Sequence, residues 1–433
     1  MSAFDCDIAI IGAGLAGAAA ASIVTAQGKS AIVLEARDRA GGRAFTRPFT
    51  AGGDLLEFGG SWITPWHDRV RHYAELTGTT LRPRSLVSTH HWHDGTTLRS
   101  GEPSSQEGRA GFDRTMARIA TDAARYKAGD RTDADGQSMM SASLNDYLDR
   151  IDAGPEARNH VMAWWTVSGN GEPAVISASE FISSCAYGEG RPEGMIDKLQ
   201  NTLVPGAGVL AARMIEKSGA ELRLSLPVVA IDQSTDETIV TCANGEKVKA
   251  RGAIVCLPIN ALNAIAFTPA LSPVKSAAIA RGHGGKAIKV WIKARGVEVG
   301  ELAAGGIDGL SWMFAERRAE DGTTLIVCFG IADPKFDPND RHAIAGALQR
   351  FFPKADLVAW DWHDWVADPY ARGTWVALPA DMLEMADPQN WQPEGQLAFA
   401  TSDIAADQAG WFEGAIIAGE AAATALLRQS NAL

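Results

Sequence analysis

Five cysteines in 433 residues (Cys6, Cys185, Cys242, Cys256 and Cys328) include no C-x-x-C pair. So odd and scattered a set argues against a disulfide framework and fits free thiols in a reducing compartment. No apolar tract reaches the ~18–20 uninterrupted residues of a membrane span; the longest are short, or alanine-rich with charges nearby. No Lys/Arg cluster is visible, and 52 acids against 40 bases leave a net charge of −12. That balance argues against a nucleic-acid surface. The first strand-like run begins at Asp7 and leaves no room for a signal peptide, so export by the standard route is not expected and a cytoplasmic location is. No internal repeat is visible. His90, His91 and His93 form the one candidate metal cluster. Neighbours on a strand point to opposite faces, so a solvated hairpin is expected there and no metal.

What the chain does have is concentrated at its start. Residues 7–35 read as a strand (Ile8-Ala9-Ile10-Ile11), a Gly-x-Gly-x-x-Gly turn, an alanine-rich helix ending at Gly28, and a second strand (Ala31-Ile32-Val33-Leu34) that ends on an acid. Both strands are apolar throughout, as buried parallel strands are. Gly12 makes the tight turn, Gly14 lets backbone approach a pyrophosphate, and Gly17 lets the helix lie close to the strand. The helix N-terminus offers unpaired N–H groups to phosphates. Glu35 falls about 20 residues on, where a carboxylate accepts the ribose hydroxyls of an adenosine. Strand, turn, helix, strand and acid in this order predict dinucleotide binding.

The residues after the acid choose among dinucleotides. Glu35-Ala-Arg37-Asp-Arg-Ala-Gly-Gly42-Arg43 resembles the second fingerprint of the flavin-containing amine oxidase (monoamine oxidase-like) family. Phe58-Gly-Gly60-Ser61-Trp62 is similar to that family's turn beside the isoalloxazine, and Gly410-Trp411-Phe412-Glu-Gly-Ala to its C-terminal motif. The resemblance implies FAD, with Arg37, Gly42, Arg43, Gly60, Ser61, Trp62, Trp411 and Phe412 as contacts and Arg43 facing the phosphates. Val228, after Pro227, is the implied backbone contact to adenine. Asp403 stands where the family has a glutamate towards the ribityl hydroxyls. Thr374 occupies the place of the cysteine that tethers flavin in monoamine oxidases, so the FAD is expected to be noncovalent.

The same resemblance implies the chemistry. Lys289, in Gly285-Lys-Ala-Ile-Lys289-Val-Trp-Ile, matches the lysine that holds a water at flavin N5. A charge inside a β run is costly unless partnered; the alternatives are Lys286, or that Lys286, Lys289 and Lys293 line an exposed face. Trp375 and Trp411 match the two rings of the aromatic cage, usually tyrosines, and indole is the strongest cation–π partner. The implied reaction moves a hydride from the α-carbon of an uncharged amine to N5 and gives an imine that water hydrolyses. O2 or another electron acceptor reoxidises the flavin, with H2O2 as product from O2. Trp62, Trp164, Trp165, Trp312 and Phe314 are candidates for an apolar pocket wall.

The expected fold is α/β, a Rossmann-like FAD-binding domain (1–80, 195–260 and 390–433) interleaved with an α+β substrate-binding domain (81–194 and 261–389). A small-molecule amine is the expected partner, with no nucleic acid and no membrane, and a homodimer is left open. An amino-acid oxidase or a desaturase on the same fold is the nearest alternative, since fold does not fix substrate. An amino-acid oxidase needs a cation for the carboxylate, and Arg372 lies close in sequence to Trp375. A non-catalytic FAD-fold binding protein is the alternative of another class.

Overall fold

The computed structural model describes residues 4–306, 308–382, 385 and 387–430. Residues 1–3 and 431–433, included in the expected first unit, lie outside the described residues.

Two large sheets organise the chain. In the first, the strands Glu221–Arg223, Ala31–Leu34, Cys6–Ile11 and Lys247–Val255 lie side by side in parallel, and Leu397–Phe399 joins Lys247–Val255 in parallel. The antiparallel strands Thr238–Cys242 and Val228–Asp232 and the short Ala266–Thr268 extend the other edge. Ile8, Ala9, Ile10 and Ile11 are each 2 % exposed or less, because layers cover both faces of this sheet. One layer contains the helix Leu15–Ala26, whose alanines 18–21 are fully buried and pack with the C-terminal helix Phe412–Ser430.

The second sheet orders Asp356–Trp362, Ala287–Arg295, Thr324–Ile331, Leu310–Arg318, Glu301–Ala304, Thr89–His93 and Leu98–Ser100. The strand Ala287–Arg295 is buried on both faces. Its period of two sends Ile288, Val290, Ile292 and Ala294 into a core shared with the helix Arg341–Phe351. Lys289, Trp291 and Lys293 go to the other face, towards Gly59, Glu57 and Asp54 of the first unit.

Two sequence expectations fail here. Thr89–His93 pairs with Glu301–Ala304 as well as with its own hairpin partner, so the histidine hairpin is built into a sheet and His93 is buried. Lys293 is 2 % exposed and paired with Asp54 at 3.0 Å, and of the three lysines only Lys286, half-buried beside Glu172 at 3.4 Å, reaches solvent to an appreciable extent.

Candidate active site

One cavity of about 500 Å³ runs between the two sheets. At one end Gly12 turns the chain with φ +105° and donates its N–H to Leu34 O at 2.7 Å. A Cβ on Gly17 would lie 2.0 Å from Gly12 O, so only glycine lets the helix start this close to the turn. Gly14 bridges to Gly41, and Gly14, Gly41 and Gly42 line the cavity. The helix that follows has no side-chain cap and no acid in its first turn, which leaves its N–H groups for an anion. Glu35 is 4 % exposed and borders the cavity. Its Oε2 accepts the Ala13 N–H at 2.8 Å and its Oε1 the Arg37 N–H at 2.9 Å. Arg37 is tied to Asp368 at 2.6 Å, and its guanidinium lies 5.3 Å from the centre of the Tyr370 ring. Val228 also lines this end. An uncapped helix start, a glycine cradle and a fixed carboxylate fit a dinucleotide.

Arg43 lines the middle of the cavity. Its Nη1 donates to Thr374 O at 2.6 Å and its Nη2 to Asp403 Oδ1 at 2.7 Å. Asp403 is therefore a correction to the sequence expectation. It is 2 % exposed and is not part of the cavity lining; its Oδ2 takes the Ile259 N–H at 3.1 Å. The carboxylate positions Arg43 instead of facing a ligand. Burial opposes its charge, but Arg43, His283 and the Ile259 N–H outweigh that and hold the carboxyl below its usual range. The Thr374 hydroxyl donates to Asn170 Oδ1 at 2.6 Å and accepts the Ala287 N–H at 3.2 Å. Cys256, one of the five free thiols, also borders the cavity, beside Gly12. Burial pushes its thiol well up, so it is not a nucleophile.

Lys289 enters the wall from the second sheet, 6 % exposed. Its Nζ donates to Gly59 O at 2.8 Å and to Ser61 Oγ, and lies 5.7–5.8 Å from the ring centres of Trp62, Trp291 and Phe329. Burial pushes the ammonium down, and Glu57 and Glu316 pull it part of the way back. Glu57 is fixed by the Ala207 N–H at 2.7 Å and the Thr46 hydroxyl at 2.8 Å. Gly60 lies under Phe412, whose ring a Cβ would meet at 2.5 Å, and both line the cavity.

Phe329 links this point to the tryptophans, with the Trp375 ring 6.4 Å from its own. Trp411 packs on His67 at 5.5 Å; burial pushes that histidine down to about 3 and so keeps it neutral. Gly410 brings the two tryptophans together: a Cβ there would lie 3.6 Å from Trp375 Cβ. Trp375 and Trp411 are both half-buried and both line the cavity. Of the wall candidates, Trp62, Trp164 and Trp312 border it. Trp165 and Phe314 do not; they are fully buried core, Trp165 donating to Gly171 O at 2.8 Å and Phe314 lying 4.7 Å beneath the Arg84 guanidinium. Arg372 is exposed at the cavity edge, with its carbonyl held by Asn260 at 2.9 Å.

Sequence reasoning missed one lining carboxylate, Glu180, on the helix Ser179–Tyr187. The signal was there: Glu180, Ser183, Ser184 and Tyr187 keep helical spacing among Phe181, Ile182, Cys185 and Ala186.

Comparison with known proteins agrees with this geometry. The chain is 29 % identical to (S)-6-hydroxynicotine oxidase of Paenarthrobacter nicotinovorans, over 97 % of this chain and 99 % of that protein. It is 24 % identical to the human flavin-containing amine oxidase B, over 98 % and 86 %. A structure of putrescine oxidase bound to putrescine shares the fold, with a TM-score of 0.84 at 23 % identity and coverage of 98 % and 99 %. The model of the flavin containing amine oxidoreductase family matches residues 15–427. From the first helix to the last, therefore, the chain belongs to the flavin-containing amine oxidoreductases, and it is an enzyme that uses a flavin to oxidise small amines.

Proposed function

We propose that the flavin is FAD, held without a covalent bond, and that the enzyme is an oxidase of an uncharged amine that returns its electrons to O2 as H2O2. The observation that carries this reading is the meeting of Lys289 and Ser61 with the tryptophan pair at one end of a cavity whose other end is a dinucleotide cradle. In this assignment segments 1–80, 195–260 and 390–433 hold the FAD, and 81–194 and 261–389 shape the amine pocket. Gly12, Gly14 and Glu35 take the adenosine and pyrophosphate, while Gly17, which is not among the lining residues, lets the helix start close to the turn; Val228 borders the adenine, and Arg43, Gly42, Gly60, Ser61, Trp62 and Phe412 flank the remainder.

A bound flavin supplies the two-electron acceptor, taking a hydride from the amine's α-carbon. The chain's own residues bind, orient and desolvate. Trp375 and Trp411 flank the nitrogen with two ring faces, fix its orientation and exclude water. Lys289 spends two of its three donors on Gly59 O and Ser61 Oγ and keeps one for a water. Thr374 supports the noncovalent assignment, because its hydroxyl is engaged by Asn170 and Ala287 and the five cysteines are buried. The net charge of −12 supports an enzyme without a nucleic-acid partner; among the described residues no helix is long and apolar enough to cross a membrane, and a cytoplasmic location is part of this assignment. A homodimer is compatible with this assignment.

The test is anaerobic mixing of the purified yellow protein with a panel of amines and α-amino acids. Bleaching by amines, and release of FAD into the supernatant by acid or heat, is the expected result. Bleaching by α-amino acids alone would move the assignment to an amino-acid oxidase, against which the exposure of Arg372 already counts. No bleaching by any donor would leave a flavin-binding protein.

A further inference from the structure

The cavity is bordered by six charged residues among those described: Glu35, Arg37, Arg43, Glu180, Lys289 and Arg372. Four belong to the cofactor and redox end as assigned above, and Arg372 is exposed at the edge. Glu180 remains, and nothing in the reading so far uses it. Its Oε1 accepts the Leu378 N–H at 3.3 Å, and its Oε2 has no hydrogen-bond partner among the described residues. It is enclosed by protein yet half-buried by exposure, because it borders the cavity. The side chains one turn and two turns on, Ser183, Ser184 and Tyr187, line the cavity with it, and the two serine hydroxyls likewise make no hydrogen bond among the described residues. A buried carboxylate with one long neutral hydrogen bond and no cation beside it is costly or gives up its charge. Burial indeed pushes this carboxyl up to about 7, against the pull of the Leu378 N–H.

We propose that Glu180 is a specificity-determining residue that receives a second, protonated nitrogen of the substrate, so that the preferred amines are diamines. This rests on the amine-oxidising assignment of the same cavity. Leu378 lies three residues beyond Trp375, so its Cα is at most about 11 Å from that of Trp375 even along fully extended chain. The carboxylate and the tryptophan pair thus border the same stretch of one cavity, and the length of diamine that joins them is what the ladder of substrates below reads. The paired ammonium favours the ionised carboxylate, so binding releases the fraction of a proton that the raised carboxyl carries near neutral pH. No new bond is made or broken; the proton goes to solvent.

The experiment compares putrescine, cadaverine and hexamethylenediamine with butylamine, pentylamine and hexylamine. Binding to the oxidised holoenzyme is read by flavin difference spectra under anaerobic conditions and by calorimetry in two buffers of different ionisation enthalpy. KM and kcat are measured separately. One diamine of the ladder is expected to bind about tenfold or more tighter than its matched monoamine, the gain of a charge-assisted hydrogen bond. Glu180→Gln keeps an acceptor for the Leu378 N–H and is expected to remove that ratio through KM rather than kcat, and to abolish the extra proton released near neutral pH. Glu180→Asp is expected to restore part of it. A wild-type ratio below twofold for every pair, or a ratio that Glu180→Gln leaves unchanged, overturns the proposal. If a diamine binds with this dependence on Glu180 but no amine reduces the flavin, the site stands and the oxidase assignment falls.

Discussion

Replacing Glu35 by glutamine isolates the contribution of one buried carboxylate to cofactor retention. Each oxygen holds a backbone N–H, of Ala13 at 2.8 Å in the phosphate turn and of Arg37 at 2.9 Å in the loop that follows. A glutamine has one acceptor oxygen, so one of the two N–H groups is left facing an NH2 group. An unsatisfied buried donor costs about 1–3 kcal/mol, and the apoprotein is expected to lose stability on that scale. On the proposed assignment of Glu35 to the ribose, the dinucleotide loses a charged acceptor as well, worth about 1.5–3 kcal/mol. At 1.4 kcal/mol per decade that is roughly a ten- to hundredfold weaker affinity. The assays are the flavin-to-protein absorbance ratio after purification, fluorimetric titration of apoprotein with FAD, and thermal unfolding with and without added FAD. The stabilisation conferred by FAD is expected to shrink with the affinity. A Glu35→Gln protein that purifies fully loaded and binds FAD within twofold of wild type would refute the assignment of Glu35 to the ribose.

Three further expectations concern the rest of the site. Lys289→Met is expected to slow flavin reoxidation by O2 on the order of a hundredfold while slowing amine-driven reduction far less, measured as separate half-reactions by stopped flow; equal effects on both would move the role elsewhere. Trp375→Ala and Trp411→Ala, each confirmed to hold flavin, are expected to lower the anaerobic reduction rate by about tenfold or more, with phenylalanine retaining much of it because a ring face remains; wild-type rates in both alanine variants would remove the cage. Because the Asp403 carboxyl sits below its usual range, it stabilises the fold above the unfolded value of about 4 and ceases to do so as pH falls through its lower folded value. Melting temperatures across acidic pH are therefore expected to separate wild type from Asp403→Asn near neutrality and to converge at the acid end, and a constant difference would contradict this.

The strand–glycine turn–helix–strand unit that ends on Glu35 was legible in the sequence because it is local. Strand, turn, helix, strand and acid lie within residues 7–35, and the glycines there are dictated by backbone contacts, such as Gly17 against Gly12 O, that any chain folding this unit must make. Lys289 was legible as a charge inside a β run. What the run did not determine was which of its lysines is buried usefully: period two places Lys289 and Lys293 on the same face, and only the segments opposite distinguish them, Gly59 and Ser61 for one and Asp54 for the other. Asp403 was misjudged for the same reason, since Arg43 and Ile259 N–H claim it from far along the chain. The histidine hairpin looked solvated until Glu301–Ala304 arrived to pair with it. Glu180 had only a helical spacing to announce it, and the cavity that gives its carboxylate meaning is bordered by residues from Ile11 to Ala415. By itself, then, the sequence determined the glycine turn with its flanking strands and helix and, through its short motifs, the family and its kind of chemistry, because those motifs carry fixed backbone demands. The tertiary structure decided which charges meet, which are buried and which face the substrate, because those depend on desolvation and on partners hundreds of residues away.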